Sequence, residues 1–229
     1  MIASLHIADI GPARAARILF RPPKADPAIG LRRAEVALAA PLRAAAVPCP
    51  WPGRVALLGF WEDGDCLDRF AAGHPLARLL AGGWQARLEP LRAHGSWPGL
   101  PDDIPRSRIP AGDGPVVVVT LARTRISQLR RFLATSLRAE RAARSAPGLI
   151  WGVALARPPF FATCSIWTDA NGAIQYAYGQ TDAAHPAAIA ANQAKPFHRH
   201  SAFVRFRLCD SRGSLPGAGL TTEAEQRTL

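Results

Sequence analysis

An α+β fold of two tandem ferredoxin-like modules is predicted by three observations in this 229-residue chain. A sequence block recurs about half a chain length apart. Alternating apolar stretches and helical stretches follow the same order in each half. A Pro- and Gly-rich stretch divides the halves. The recurrence is carried by "FWEDGDCLDRFAAGHP" (60–75) and "WTDANGAIQYAYGQTDAAHP" (167–186). Trp61, Asp63, Phe70, Ala71 and Gly73 match Trp167, Asp169, Tyr176, Ala177 and Gly179 at a constant offset of 106 residues. After Gly179 the second copy carries extra residues before His185-Pro186, the match of His74-Pro75. So long a period implies paired modules, because solenoid repeats run to about 20–50 residues.

The elements follow in order. "SLHIADI" reads as a strand and "GPARAARILFR" as a short helix. "AIGLRRAEVALAAPLRAAAV" suits a helix, or a helix plus a strand, through Leu31, Val36, Leu38 and Leu42. "RVALLGFW" is a strand, "DCLDRFAAG" and "HPLARLLAGG" are helical, and "WQARLEPLRAHGSW" is the strand that leaves the module. "PGLPDDIPRSRIPAGDGP" has no periodicity and reads as a linker. In the second half "VVVVTLA" is a β-branched strand. Ile126, Leu129, Leu133 and Leu137 then form one helical stripe, stopped by Pro147-Gly148. "LIWGVAL" is a strand with a turn at "PPF". "FATCSIW" alternates Phe161, Thr163, Ser165 and Trp167 against Ala162, Cys164 and Ile166. Helical stretches 170–178 and 186–194 precede "AFVRFRL", with Val204, Phe206 and Leu208 on one face. The division is 1–97 and 116–210 for the modules, 98–115 for the linker and 211–229 for a mobile tail.

Strand–helix–strand twice per half is the ferredoxin-like plan. Two such sheets in one chain can pack as a dimeric α+β barrel, and the expectation is that their facing surfaces enclose a pocket lined by one side of "FATCSIW".

Composition excludes more than it assigns. The net charge of +11 is carried almost wholly by arginine, since Lys24 and Lys195 are the only lysines. A GC-rich coding sequence gives such a chain, and so would an acidic partner, an anionic ligand or an anionic lipid surface. No nucleic-acid-binding motif accompanies the charge, so nucleic acid is not expected. Cys49, Cys66, Cys164 and Cys209 form no C-x-x-C, which speaks against zinc. No apolar run reaches the roughly 18–20 residues of a membrane span, and "MIASLHIADI" lacks a signal-peptide pattern. A soluble cytoplasmic protein is expected, or one that touches a membrane peripherally.

Phosphate loops, nucleophile elbows and paired catalytic carboxylates are missing from the sequence. Six histidines remain. His6 and His94 read as structural or surface residues, and His198 and His200 in "KPFHRHS" as a solvated helix exit. His185 precedes a proline that suits the first position of a helix, so it either caps that helix or offers a neutral imidazole to a ligand, with Asp182 near enough in sequence to orient it. An aromatic, apolar pocket with few polar groups suits a hydrophobic substrate or a flat cofactor.

The stretches "PVVVVTLARTRISQLRRFL", "FATCSIWTDANGAIQYAYG", "HPAAIA" and "FVRFRLCDSRG" resemble the spheroidene monooxygenase family of carotenoid biosynthesis. "LLGFWEDGDCLDRFAAGHPLARLLAGGWQARLEPLRAHGSWPG" resembles its N-terminal part. The likeness covers most of residues 55–213. It departs at Ala154–Pro159, where the family carries a Gly-Glu pair. The resemblance implies a haem-dependent oxygenase that uses haem b, O2 and a reduced ferredoxin-type donor to oxidise a hydrophobic, carotenoid-like substrate. It makes His185 the axial iron ligand. Phe161, Trp167 and Tyr178 would then wall the cofactor pocket, and Arg205 or Arg207 would pair with the propionates. The rival expectations are a haem-free monooxygenase or isomerase of the same fold, and a non-catalytic haem- or lipid-binding protein.

Overall fold

The computed structural model describes residues 1–42, 51–107, 114–178 and 195–215. Eight strands form one closed antiparallel barrel: β1 (Ile2–Asp9), β2 (Leu31–Pro41), β3 (Arg54–Trp61), β4 (Trp84–Ser96), β5 (Val116–Thr124), β6 (Leu149–Arg157), β7 (Phe160–Trp167) and β8 (His198–Arg212). Five α-helices lie among the described residues: α1 (Pro12–Phe20), α2 (Gly64–Gly73), α3 (Pro75–Leu80), α4 (Leu129–Ser145) and α5 (Ala170–Tyr178). Each half is a ferredoxin-like module, with sheet orders β4-β1-β3-β2 and β8-β5-β7-β6. The two sheets join along two antiparallel seams, β2 with β6 and β4 with β8, so one chain completes a dimeric α+β barrel.

The segment Leu31–Pro41, for which a helix was one sequence expectation, is wholly strand. It pairs with β3 on one side and β6 on the other, and these two ladders override the helical preference of its Ala and Arg residues. Pro90 lies inside β4, which is tolerated because the register shifts between Pro90 and Arg92 and removes the need for its missing N–H. The stretch read as a linker does more than connect. Beyond β4, Trp97, Leu100 and Ile104 fold back onto the barrel core, and Ala93 N–H donates to Pro105 O. At the other boundary β8 runs through Arg212, and Leu215 is buried in the same core.

Alternate residues fill the barrel: Leu5 and Ile7 from β1, Leu58 and Phe60 from β3, Val117, Val119 and Leu121 from β5, Ala162, Cys164 and Ile166 from β7, Val204 and Phe206 from β8. An eight-stranded barrel is about wide enough for its own side chains. The interior void is about 10 Å³, lined by residues such as Leu5, Leu58 and Cys164, which is room for about one water. The expected pocket between the facing sheets is therefore a packed core. Helices cover the outer faces, α1 to α3 over the first module and α4 with α5 over the second. No helix among the described residues is long and apolar enough to cross a membrane.

Candidate functional site

With the barrel filled, a cleft lies between the first sheet and its helices, beside the first copy of the repeated motif. In the first module, Trp61 ends β3 and its indole N–H donates to Ser4 Oγ at 2.9 Å. Phe70 of α2 meets that ring at 4.6 Å, and Asp63 caps α2 by accepting from Cys66 N at 2.8 Å. His74 stacks on Phe70 at 4.9 Å. In the second module Trp167 donates to Ser165 Oγ at 2.8 Å and stacks on Tyr176 at 5.2 Å. Asp169 accepts from Gly172 N at 2.8 Å. The Asp caps and the Trp–aromatic contacts recur in the two modules, whereas the tryptophans donate to different strands, Trp61 to β1 and Trp167 to its own β7.

The first cleft has a volume of about 260 Å³, and Leu31, Leu57, Trp61, Phe70 and His74 are among its lining residues. Strand register gives the counterparts of the sheet positions. Leu31 and Leu149 pair with the two tryptophans, and Leu57 takes the place of Thr163. Val36 pairs with Leu57 as Ala154 pairs with Thr163, and Ala34 with Gly59 as Gly152 with Ser165. Across the seam strands, His6 corresponds to Thr120. The second sheet thus presents smaller or more polar groups to its helices. Ala34, Val36 and Leu57 are buried, whereas Gly152, Ala154, Thr163 and Ser165 are half-buried. At these pairs the second sheet carries less side-chain bulk than the first, Gly59 and Ser165 excepted.

Placement of the expected site residues differs case by case. Phe161 and Trp167 sit on the helix side of β7, not on the barrel side, where Ala162, Cys164 and Ile166 point. Phe161 meets Phe132 of α4 at 5.2 Å. Trp167 is 1% exposed and packs with Leu91, Val116 and Ala173. Tyr178 is 66% exposed at the end of α5. Arg205 lies half-buried on the helix side of β8, beside Val118. Arg207 is exposed and already pairs with Glu89 across the β4–β8 seam. His185 and Asp182 lie outside the described residues, as does the stretch 186–194.

Several groups on or beside α4 were not legible in the sequence as site residues. Phe132 contacts Phe161, Phe197 and His198. His198, read as part of a solvated helix exit, instead opens β8. Its Nδ1 lies 3.3 Å from Thr124 Oγ1, and burial pushes its imidazole down to about 4. Glu140 stands two turns beyond Phe132 on α4, and burial pushes its carboxyl up to about 7. A carboxyl in that range exists in both protonation states near neutral pH and can give or take a proton. Among the described residues, no cluster of three His, Cys, Asp or Glu side chains forms a metal site. On α4 Leu129, Leu133 and Leu137 are half-buried, and Ile126 falls before the helix, 81% exposed.

No protein-family model matches the chain, and no curated protein matches its sequence. Solved structures do match. An aldoxime dehydratase, OxdRE, in complex with butyraldoxime has a TM-score of 0.54 at 10% identity, over 95% of this chain and 84% of that one. A provisionally named monooxygenase from Fusobacterium nucleatum has a TM-score of 0.43 at 8% identity, covering 96% and 95%. The haem-degrading enzyme LmHde from Listeria monocytogenes has 0.31 at 12% identity, covering 89% and 98%. Of these three the first shares the fold over nearly the whole chain. At such identity the likeness establishes the fold and nothing finer.

Proposed function

We propose that the chain is an oxygenase of hydrophobic substrates, of the kind the spheroidene monooxygenase resemblance implies, with its site in the second module between α4 and the sheet. One observation carries the reading. In the first repeat, Trp, the aromatic nine residues on and the His before Pro line a sheet–helix cleft together. The second repeat carries Trp167 and Tyr176 and, in sequence alone, His185, and its sheet bears Gly152, Ala154 and Thr163 where the first bears Ala34, Val36 and Leu57.

The fit to haem b divides. The barrel core, with about 10 Å³, has no room for a porphyrin. The outer face of the second sheet fits its chemistry better, since small strand residues suit a flat ring and Phe132, Phe161 and Phe197 supply apolar walls. His185 would be the iron ligand by its correspondence to His74 in sequence, and Arg205 or Arg207 a propionate partner. Haem, when bound, supplies the centre at which O2 is reduced. The chain's own part is to hold an apolar substrate beside it, to exclude water with the phenylalanine cluster, and to keep a proton on Glu140 below about pH 7. The arginine-rich surface would receive an acidic, reduced ferredoxin-type donor, in a protein that works in the cytoplasm or at a membrane surface.

A second reading is a haem-free oxygenase of the same fold, in which an activated substrate itself reduces O2. Titration of the purified chain with haemin separates the two. An intense Soret band at one equivalent, lost in His185→Ala and kept in Glu140→Gln, supports the haem reading. A chain that leaves the spectrum of free haemin unchanged overturns it and leaves the haem-free reading standing. Polyene oxidation with O2 and a reduced ferredoxin then tests the substrate class.

A further inference from the structure

The leucine stripe of α4 is not what packs this helix onto its sheet. Phe132 holds it there, against Phe161 and Phe197, together with the buried Ala142 and Ala143 and the Tyr176 hydroxyl on Ala139 O. Leu129, Leu133 and Leu137 stand on the flank of the helix, half-buried, and enter no core cluster among the described residues. Ile126 extends their line and is 81% exposed. A helix that only covered a sheet would aim its leucines at it. Here alanines and one phenylalanine take the packed face, and the leucines are left beside it.

The next sector around the helix is cationic. Arg130, Arg138, Arg141 and Arg144 are exposed, and none pairs with a carboxylate among the described residues. Arg125 is exposed beside Ile126. The one acid on the helix, Glu140, is half-buried, and burial pushes its carboxyl up to about 7, so it carries only part of a charge near neutral pH.

A cationic row beside an apolar stripe fits the boundary of an anionic bilayer, where phosphates meet acyl chains. Guanidinium groups pair with phosphate while their stems lie along apolar surface. A second copy of the chain would set arginine row against arginine row. An acidic protein would answer the charges but not the apolar stripe. On α1, Phe20 is 87% exposed among arginines, but Ile18 and Leu19 of that helix pack on the first module's core.

We infer that α4 is a membrane-contact helix. It lies in the headgroup plane of an anionic bilayer, with Ile126 and the leucine stripe at the acyl boundary and Arg130, Arg138, Arg141 and Arg144 on lipid phosphates. This contact is independent of the oxygenase reading, since vesicle binding needs neither haem nor substrate.

The full chain is sedimented with vesicles of phosphatidylcholine alone or mixed equally with phosphatidylglycerol. It should bind the mixed vesicles and not the neutral ones, and salt should weaken the binding. The variant Arg138→Gln/Arg141→Gln/Arg144→Gln should lose about 100-fold in partitioning, and Ile126→Ser about tenfold. A matched variant on α1, Arg14→Gln/Arg17→Gln/Arg21→Gln, removes the same charge away from α4 and should lose less than about threefold. All of these positions are exposed, so circular-dichroism melts should be unchanged. The inference is overturned if anionic vesicles leave the chain in solution, if the α1 variant loses as much as the α4 variant, or if Ile126→Ser binds like the parent chain. Retention of an acidic ferredoxin by the α4 arginines, with no vesicle binding, overturns it and assigns the surface to a protein.

Discussion

Trp167 stacks on Tyr176 at 5.2 Å with planes 28° apart, in the place where Trp61 meets Phe70 in the first repeat. The hydroxyl that distinguishes Tyr176 from Phe70 donates to Ala139 O of α4 at 3.0 Å, so this pair ties α5 to α4. Tyr176→Phe keeps the stack and loses the tie. A loss of about 1 kcal/mol is expected in urea unfolding, with faster hydrogen exchange along α4. Unchanged exchange in α4 would show that the hydroxyl is not what holds the helix.

Acid should weaken the fold through two histidines. Burial lowers His6 from 6.5 to about 4, and His198 likewise to about 4. Both are neutral in the fold. Their contribution is complete above pH 6.5, the unfolded value, and is lost as pH falls toward 4. For His6, 2% exposed, the loss approaches about 3 kcal/mol. Stability measured from pH 7.5 to 4 should fall across that window, and His6→Gln should flatten the profile.

Glu140 has the opposite sign. Its carboxyl is raised from 4.5 to about 7, so the fold favours the neutral acid. That stability is complete below pH 4.5 and is lost as pH rises through 7. Glu140→Gln should raise the unfolding midpoint at pH 8 and leave it unchanged at pH 4. A carboxyl titrating near 4.5 by carbon-detected NMR would contradict this.

Glu35 is clamped where β2 meets the folded-back segment. It accepts from Trp97 Nε1 at 3.1 Å, from Arg157 at 3.3 Å and from Arg33. Its side chain is 4% exposed. Glu35→Ala leaves two guanidinium groups and an indole N–H without their acceptor, at a cost on the order of 3 kcal/mol. Replacing Trp97 in the same background should then cost much less than it does alone, which a double-mutant cycle in urea measures.

Strand order and duplication were legible because apolar alternation and the Trp–Asp–aromatic spacing are local signals. The barrel side of "FATCSIW" was not. Both of its faces are covered, one by the opposite sheet and one by helices, so alternation alone cannot say which is which. The narrow interior takes Ala162, Cys164 and Ile166, and the wider helix cleft takes Phe161 and Trp167. His198 was hidden by the charged "HRH" run at the start of β8, where Arg199 is exposed and His198 turns toward Phe132. Glu140 carried no sequence signal, because its shift arises from the covering of α4.

The seams β2–β6 and β4–β8 lie within a single polypeptide. A ring closed by two identical subunits must repeat every substitution on both sides of its axis. Here Leu57 and Thr163 occupy matching sites and differ, since covalent linkage has freed the copies from symmetry. One half can hold the scaffold rigid while the other drifts toward a new ligand.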